Sequence, residues 1–120
     1  MARVGLVAHD DKKDELVAWC RKHKRVLAKH ELWATGTSGS RVIEGAKLNV
    51  TLLKSGPLGG DAQLGAMICE GRLDVLIFLQ DPLTAMPHDV DIKSLTRLAT
   101  LYDILFAPNL RTADAVLAAI

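Results

Sequence analysis

The sequence predicts a single α/β domain over residues 1–120, built as a doubly wound, five-stranded parallel sheet with helices on both faces. Three observations predict it. Short apolar runs alternate with longer amphipathic ones along the whole chain. The short runs are continuous in apolar character and bounded by turn signals, as fully buried parallel strands are. The polar, glycine-rich and ionisable segments follow the apolar runs, so they gather on one edge of the sheet.

Each element can be justified in order. "RVGLVA" (3–8) is the first strand, and Leu16, Trp19, Cys20, then Val26 and Leu27, form one helical apolar stripe after it. "ELWA" (31–34) is the second strand, followed by a helix that Thr37 or Ser38 could cap. "NVTLL" (49–53) is the third, and Leu64, Met67 and Ile68 mark the next helix. "DVLIFL" (74–79) is the fourth, with Leu95, Leu98, Ala99 and Tyr102 as the stripe beyond it. "ILFA" (104–107) is the fifth, and the tail "TADAVLAAI" is a helix with Thr112 as its cap. The order βαβαβαβαβα, with right-handed crossovers, gives an open sheet of the flavodoxin- or Rossmann-like kind.

Composition narrows the function classes. At 49% hydrophobic residues the chain can fill a core, which argues against disorder and fits an oligomer. A net charge of +1 gives no footprint for nucleic acid. The basic cluster "CRKHKR" (20–25) reads as a solvated helix face. Cys20 and Cys69 match no disulfide or zinc spacing, and the histidines at 9, 23, 30 and 88 match no metal-ligand spacing, so no metal is expected. Without a membrane-length apolar stretch or a signal-peptide pattern, a soluble cytoplasmic protein is expected.

In such sheets, ligands bind outside the carboxyl ends of the strands. There the chain places "HDDKK" with His9, Asp10 and Lys13, then "TGTSG" (35–39), then "SGPLGGD" (55–61). The fourth strand is followed by "QDPLTAMPHDVD", with Asp81, His88, Asp89 and Asp91, and the fifth by "PNLRT" with Asn109. Hydroxyls and backbone N–H groups at a helix start suit a phosphate, and "SGP" and Lys13 add to them. There is no P-loop motif and no G-x-G-x-x-G after the first strand, which points to a small phosphate-bearing ligand. Asp61 and His88 are the acid–base candidates. Asp61 could equally cap its helix, and His88 could be an exposed loop residue. Together in one crevice they would suit proton removal α to a carbonyl, with Asp10, Asp81 and Asp91 as neighbouring acids.

With these segments the chain resembles the methylglyoxal synthase family, over about residues 4 to 114. The resemblance rests on "LVAHD" (6–10), "ATGTSG" (34–39), "SGPLGGD" (55–61), "EGRLDVLIFLQDPL" (70–83) and "PHDVD" (87–91). It implies a lyase that converts dihydroxyacetone phosphate into methylglyoxal and inorganic phosphate, with no cofactor. It implies Asp61 as the catalytic base, with His88 moving protons between the substrate oxygens and Asp91 supporting both. It implies His9 against the substrate, and Lys13, Thr35, Gly36, Thr37, Ser38, Ser55 and Gly56 around the phosphate. Gly60 would close the turn, and Asp10 and Asp81 would tune the site. A cytoplasmic homohexamer is implied as well. The chain departs from the family at Pro108, where a Thr is common, and it stops at Ile120 where many members run on. The same fold also resembles small regulatory domains, such as that of carbamoyl phosphate synthetase. In that alternative the crevice would only bind a phosphorylated effector. A phosphoacceptor module using Asp10 explains neither "SGPLGGD" nor "PHDVD".

Overall fold

Alternation along the two central strands sorts the helices into two layers. In β1 (Arg3–Ala8), Val4, Leu6 and Ala8 face one side and Val7 the other. In β4 (Val75–Leu79), Val75, Ile77 and Leu79 share the first side, while Leu76 and Phe78 share the second. This period of two is the pleat of a strand. Because both sides are apolar, both must be covered. The computed structural model describes residues 1–83 and 89–120, and of Asp89 and Asp91 the backbone alone.

Five strands form one parallel sheet in the order β3-β2-β1-β4-β5, with β2 at Glu31–Ala34, β3 at Thr51–Leu52 and β5 at Leu105–Ala107. Right-handed crossovers then dictate the layers. The chain moves outward through β1, β2 and β3, so α1 (Lys13–Lys22) and α3 (Gly36–Ala46) lie on one face. It then crosses back to β4 and β5, so α4 (Gly60–Cys69) and α5 (Asp89–Leu101) lie on the other. The last helix, α6 (Leu110–Ala119), returns to the first face with Ala113, Val116 and Leu117. The strand order reverses between β1 and β4, where an open α/β sheet forms its crevice.

Several sequence expectations change in detail. The stripe from Leu16 to Leu27 is not one helix. It breaks at His23, and a short α2 (Lys24–Leu27) follows, although Leu16, Cys20 and Leu27 still enter the same core. The run 49–53 gives two strand residues, both exposed, because β3 is a sheet edge. Leu105 is exposed for the same reason at the opposite edge. Tyr102 lies past the end of α5 and is half exposed. The cap of α6 is Asn109, whose side chain accepts from the Thr112 N–H at 2.9 Å, so Thr112 is inside the helix. The basic run 20–25 is exposed apart from Cys20 and a half-buried His23.

Candidate active site

The carboxyl ends of β1, β2 and β3 and the start of α4 surround one cleft of ≈ 270 Å³. That volume lies at the small end of ligand pockets and suits a small molecule.

The β1 side supplies His9, Asp10 and Lys13. The His9 N–H donates to the Leu79 carbonyl at 3.1 Å, which continues the β1–β4 ladder one residue beyond the strands. The ring is buried and meets Phe78 edge-on, with centroids 5.2 Å apart and planes at 84°. Nδ1 of His9 accepts from the Asp81 N–H at 2.8 Å. Neutral His9 therefore carries its proton on Nε2, as a donor. A 3₁₀ turn over Asp10–Lys12 then leads into α1, and Lys13 pairs with Asp10 one turn back. That ammonium, above all by its hydrogen bond, holds the Asp10 carboxyl below its ordinary range.

The β2 side supplies backbone donors. Thr35 is extended and α3 begins at Gly36. The Gly39 N–H makes the first intrahelical bond, to the Thr35 carbonyl at 2.7 Å, and the Gly36 N–H donates to the Lys54 carbonyl at 3.2 Å. Of the first-turn donors this leaves those of Thr37 and Ser38 without an intrahelical acceptor, at the positive end of the helix. Thr35 caps by position, without a side-chain cap bond. The Ser38 hydroxyl does not cap either. It accepts from the Ala8 N–H at 3.2 Å and faces the Ala8 carbonyl at 3.4 Å, so it ties α3 to the end of β1.

The β3 side works the same way. Ser55 is extended, and the 3₁₀ turn Gly56–Leu58 closes with the Leu58 N–H on the Ser55 carbonyl at 3.0 Å. Pro57 has no N–H, so Gly56 carries the donor left at that turn's start. Gly59 then takes a left-handed φ of 108°, which glycine adopts without penalty. Gly60 starts α4 against the chain behind it: a Cβ there would sit 2.0 Å from the Lys54 carbonyl oxygen. The two glycines thus bring the first turn of α4 onto the cleft with Asp61, 4% exposed, facing it. The helix cap is Gly59, so Asp61 is a first-turn acid and not the cap.

The cleft brings together His9, Asp10, Lys13, Thr35, Thr37 and Ser38, and across from them Ser55, Gly56 and Asp61. Gly36, Gly60 and Asp81 stand behind this wall. Gly36 and Gly60 pack on residues 53–55, and Asp81 orients His9 through its backbone while its carboxylate accepts from the Leu83 N–H at 3.0 Å. His88 lies outside the described residues, and Asp91 is in α5 with its side chain outside them. Sequence reasoning missed Phe78, whose place next to His9 follows from the β1–β4 register, which the sequence does not display. Among the described residues no cluster of His, Cys, Asp or Glu is suited to hold a metal ion, and no helix is long and apolar enough to cross a membrane.

Comparison with known proteins identifies the family of the chain. The family model described as the MGS-like domain matches residues 15–107. A protein of Agrobacterium fabrum named methylglyoxal synthase is 59% identical over 112 residues, covering 92% of this chain and 88% of its own. One of Brucella anthropi with the same name is 50% identical over 119 residues, covering 98% and 95%. The crystal structure of methylglyoxal synthase from Elizabethkingia anophelis superposes with a TM-score of 0.93 at 46% identity, over 98% of this chain and 77% of that one. Relatives so named favour the catalytic reading of the cleft over the regulatory one. The chain belongs to the methylglyoxal synthase family, the MGS-like proteins.

Proposed function

We propose that this protein, acting as one domain, eliminates phosphate from dihydroxyacetone phosphate to give methylglyoxal. One observation carries the reading: the buried carboxylate of Asp61 lines the same small cleft as Lys13 and the first-turn donors of α3. In this reading the N–H groups of Thr37, Ser38 and Gly56, the hydroxyls of Thr35 and Ser55, and the Lys13 ammonium hold the phosphate. Gly36 and Gly60 keep those backbones close together. Asp61 takes a proton from the hydroxymethyl carbon. The resulting enediolate is met by donors, among them Nε2–H of His9. The bond between the phosphate-bearing methylene carbon and the bridging oxygen then breaks, phosphate leaves with the electron pair, and the enol tautomerises to methylglyoxal. A rigid phosphate grip holds that C–O bond out of the enediolate plane.

His88 and Asp91 join the scheme on the family resemblance: His88 moves protons between the substrate oxygens and Asp91 supports it. Asp10 and Asp81 tune the site, Asp10 through Lys13 and Asp81 through His9. The same resemblance assigns a cytoplasmic homohexamer, with no organic or metal cofactor. The test is incubation of the protein with dihydroxyacetone phosphate. Methylglyoxal and inorganic phosphate should appear in equal amounts, and release no faster than in buffer would end the proposal.

A further inference from the structure

Lys13 and Asp10 are an unequal pair. The Lys13 side chain is 9% exposed, while that of Asp10 is 92% exposed. A buried ammonium without a partner is costly, whereas a carboxylate returning to water loses little. Lys13 therefore needs an anion at all times, and Asp10 does not need Lys13. Both line the cleft, opposite Ser55 and Gly56. The tether is short, because Asp10 opens the 3₁₀ turn that runs directly into Lys13, the first residue of α1.

We infer that Asp10 is an internal competitor of phosphate for Lys13: it neutralises the buried ammonium in the empty cleft, gives it up when a phosphate group arrives, and takes it back as inorganic phosphate departs. The inference rests on the phosphate-gripping reading of the cleft. The displaced carboxylate has somewhere to go. Arg41, on the neighbouring face of α3 and paired with Asp14, is near enough to act on Asp10 through space. Asp10 in this role touches no reacting atom. It sets how tightly the cleft holds phosphate, and so how fast the product leaves. An apparent affinity falls in proportion to the fraction of protein in the competent state. A closed Asp10–Lys13 pair that dominates the empty cleft lowers phosphate affinity by about two- to fivefold, the upper part of the range for a partly exposed ion pair.

Titration calorimetry of the full chain with inorganic phosphate tests this. Asp10→Asn should bind phosphate about two- to fivefold more tightly than wild type, with the KM for dihydroxyacetone phosphate falling in step. Asp10→Glu, which keeps the charge, should stay near wild type. Asp11→Asn removes an equal charge from the adjacent exposed position and should change affinity by less than about twofold, since exposed charges are screened. Unchanged or weaker binding by Asp10→Asn overturns the inference, as does an equal gain in Asp11→Asn, which would mean a general field effect. Wild type that forms methylglyoxal beside an Asp10→Asn with no gain loses the exchange and keeps the function. Wild type that neither binds phosphate nor turns over its substrate loses both.

Discussion

Gly60→Ala perturbs the site without touching a group that does chemistry. The added Cβ would stand 2.0 Å from the Lys54 carbonyl oxygen and 2.9 Å from Thr35 Cγ2. Real contacts of a Cβ start near 3.0 Å, so α4 and residue 54 must part by at least about 1 Å. Three things ride on that movement. Asp61 is the next residue, Thr35 lines the cleft, and the Lys54 carbonyl accepts the Gly36 N–H that fixes the start of α3. Forced overpacking of this kind costs about 1–3 kcal/mol. A misplacement near 1 Å costs about 10²-fold in turnover. Gly59→Ala is the control: its φ of 108° makes alanine strained, but nothing lies within 4 Å of the added atom. It should lose about 1–2 kcal/mol and keep most of its activity, since left-handed backbone is penalised without a steric push on Asp61. Urea unfolding and methylglyoxal formation, measured on both variants, check this. Gly60→Ala with wild-type turnover would refute the claim that close approach at Gly60 aims Asp61.

Other outcomes follow from the same structure. Cys20 is fully buried and burial pushes its thiol up to about 12, whereas Cys69 is exposed, so a thiol reagent should label one cysteine in the native protein and both in denaturant. His30 accepts the Ala2 N–H on Nδ1 at 2.9 Å, and burial, then the N-terminal and Lys29 charges, hold it below its ordinary 6.5. The folded state thus binds that proton less readily than the unfolded one. Its contribution is full above pH 6.5 and lost as the pH falls through the folded value. His30→Gln should flatten the acid side of the stability profile, and an unchanged slope would contradict this. Asn109→Ala should cost about 1 kcal/mol in thermal or urea unfolding through the lost cap of α6, with Asn109→Asp close to wild type.

The sheet was legible because its central strands obey the pattern rule at its strongest. "VGLVA" and "VLIFL" are apolar on both faces, and a run of that kind has no place but the middle of a covered parallel sheet. At the edges one side is open, so the runs at 49–53 and 104–107 over-predict strand length and burial. The break at His23 was illegible from periodicity, since Val26 and Leu27 continue the apolar stripe across a change of helix axis. In the candidate site, the motif segments after β1, β2 and β3 line one cleft. What they could not name was which atom of each residue is used: the Ser38 hydroxyl is spent on Ala8, and Asp81 acts on His9 through its amide. Those are consequences of register between distant segments, which local sequence does not encode. The assignments to His88 and Asp91 rest on sequence resemblance.

The central claim is that Asp61 removes a proton from carbon in a cleft that separately grips phosphate. Asp61→Asn is the measurement, made with dihydroxyacetone phosphate for turnover and with inorganic phosphate for binding. The account predicts a loss of about 10²- to 10⁴-fold in kcat, the range for a well-placed general base. It also predicts retained phosphate binding, since the donors of Thr37, Ser38 and Gly56 and the Lys13 ammonium are unchanged. Full methylglyoxal formation by Asp61→Asn would contradict it.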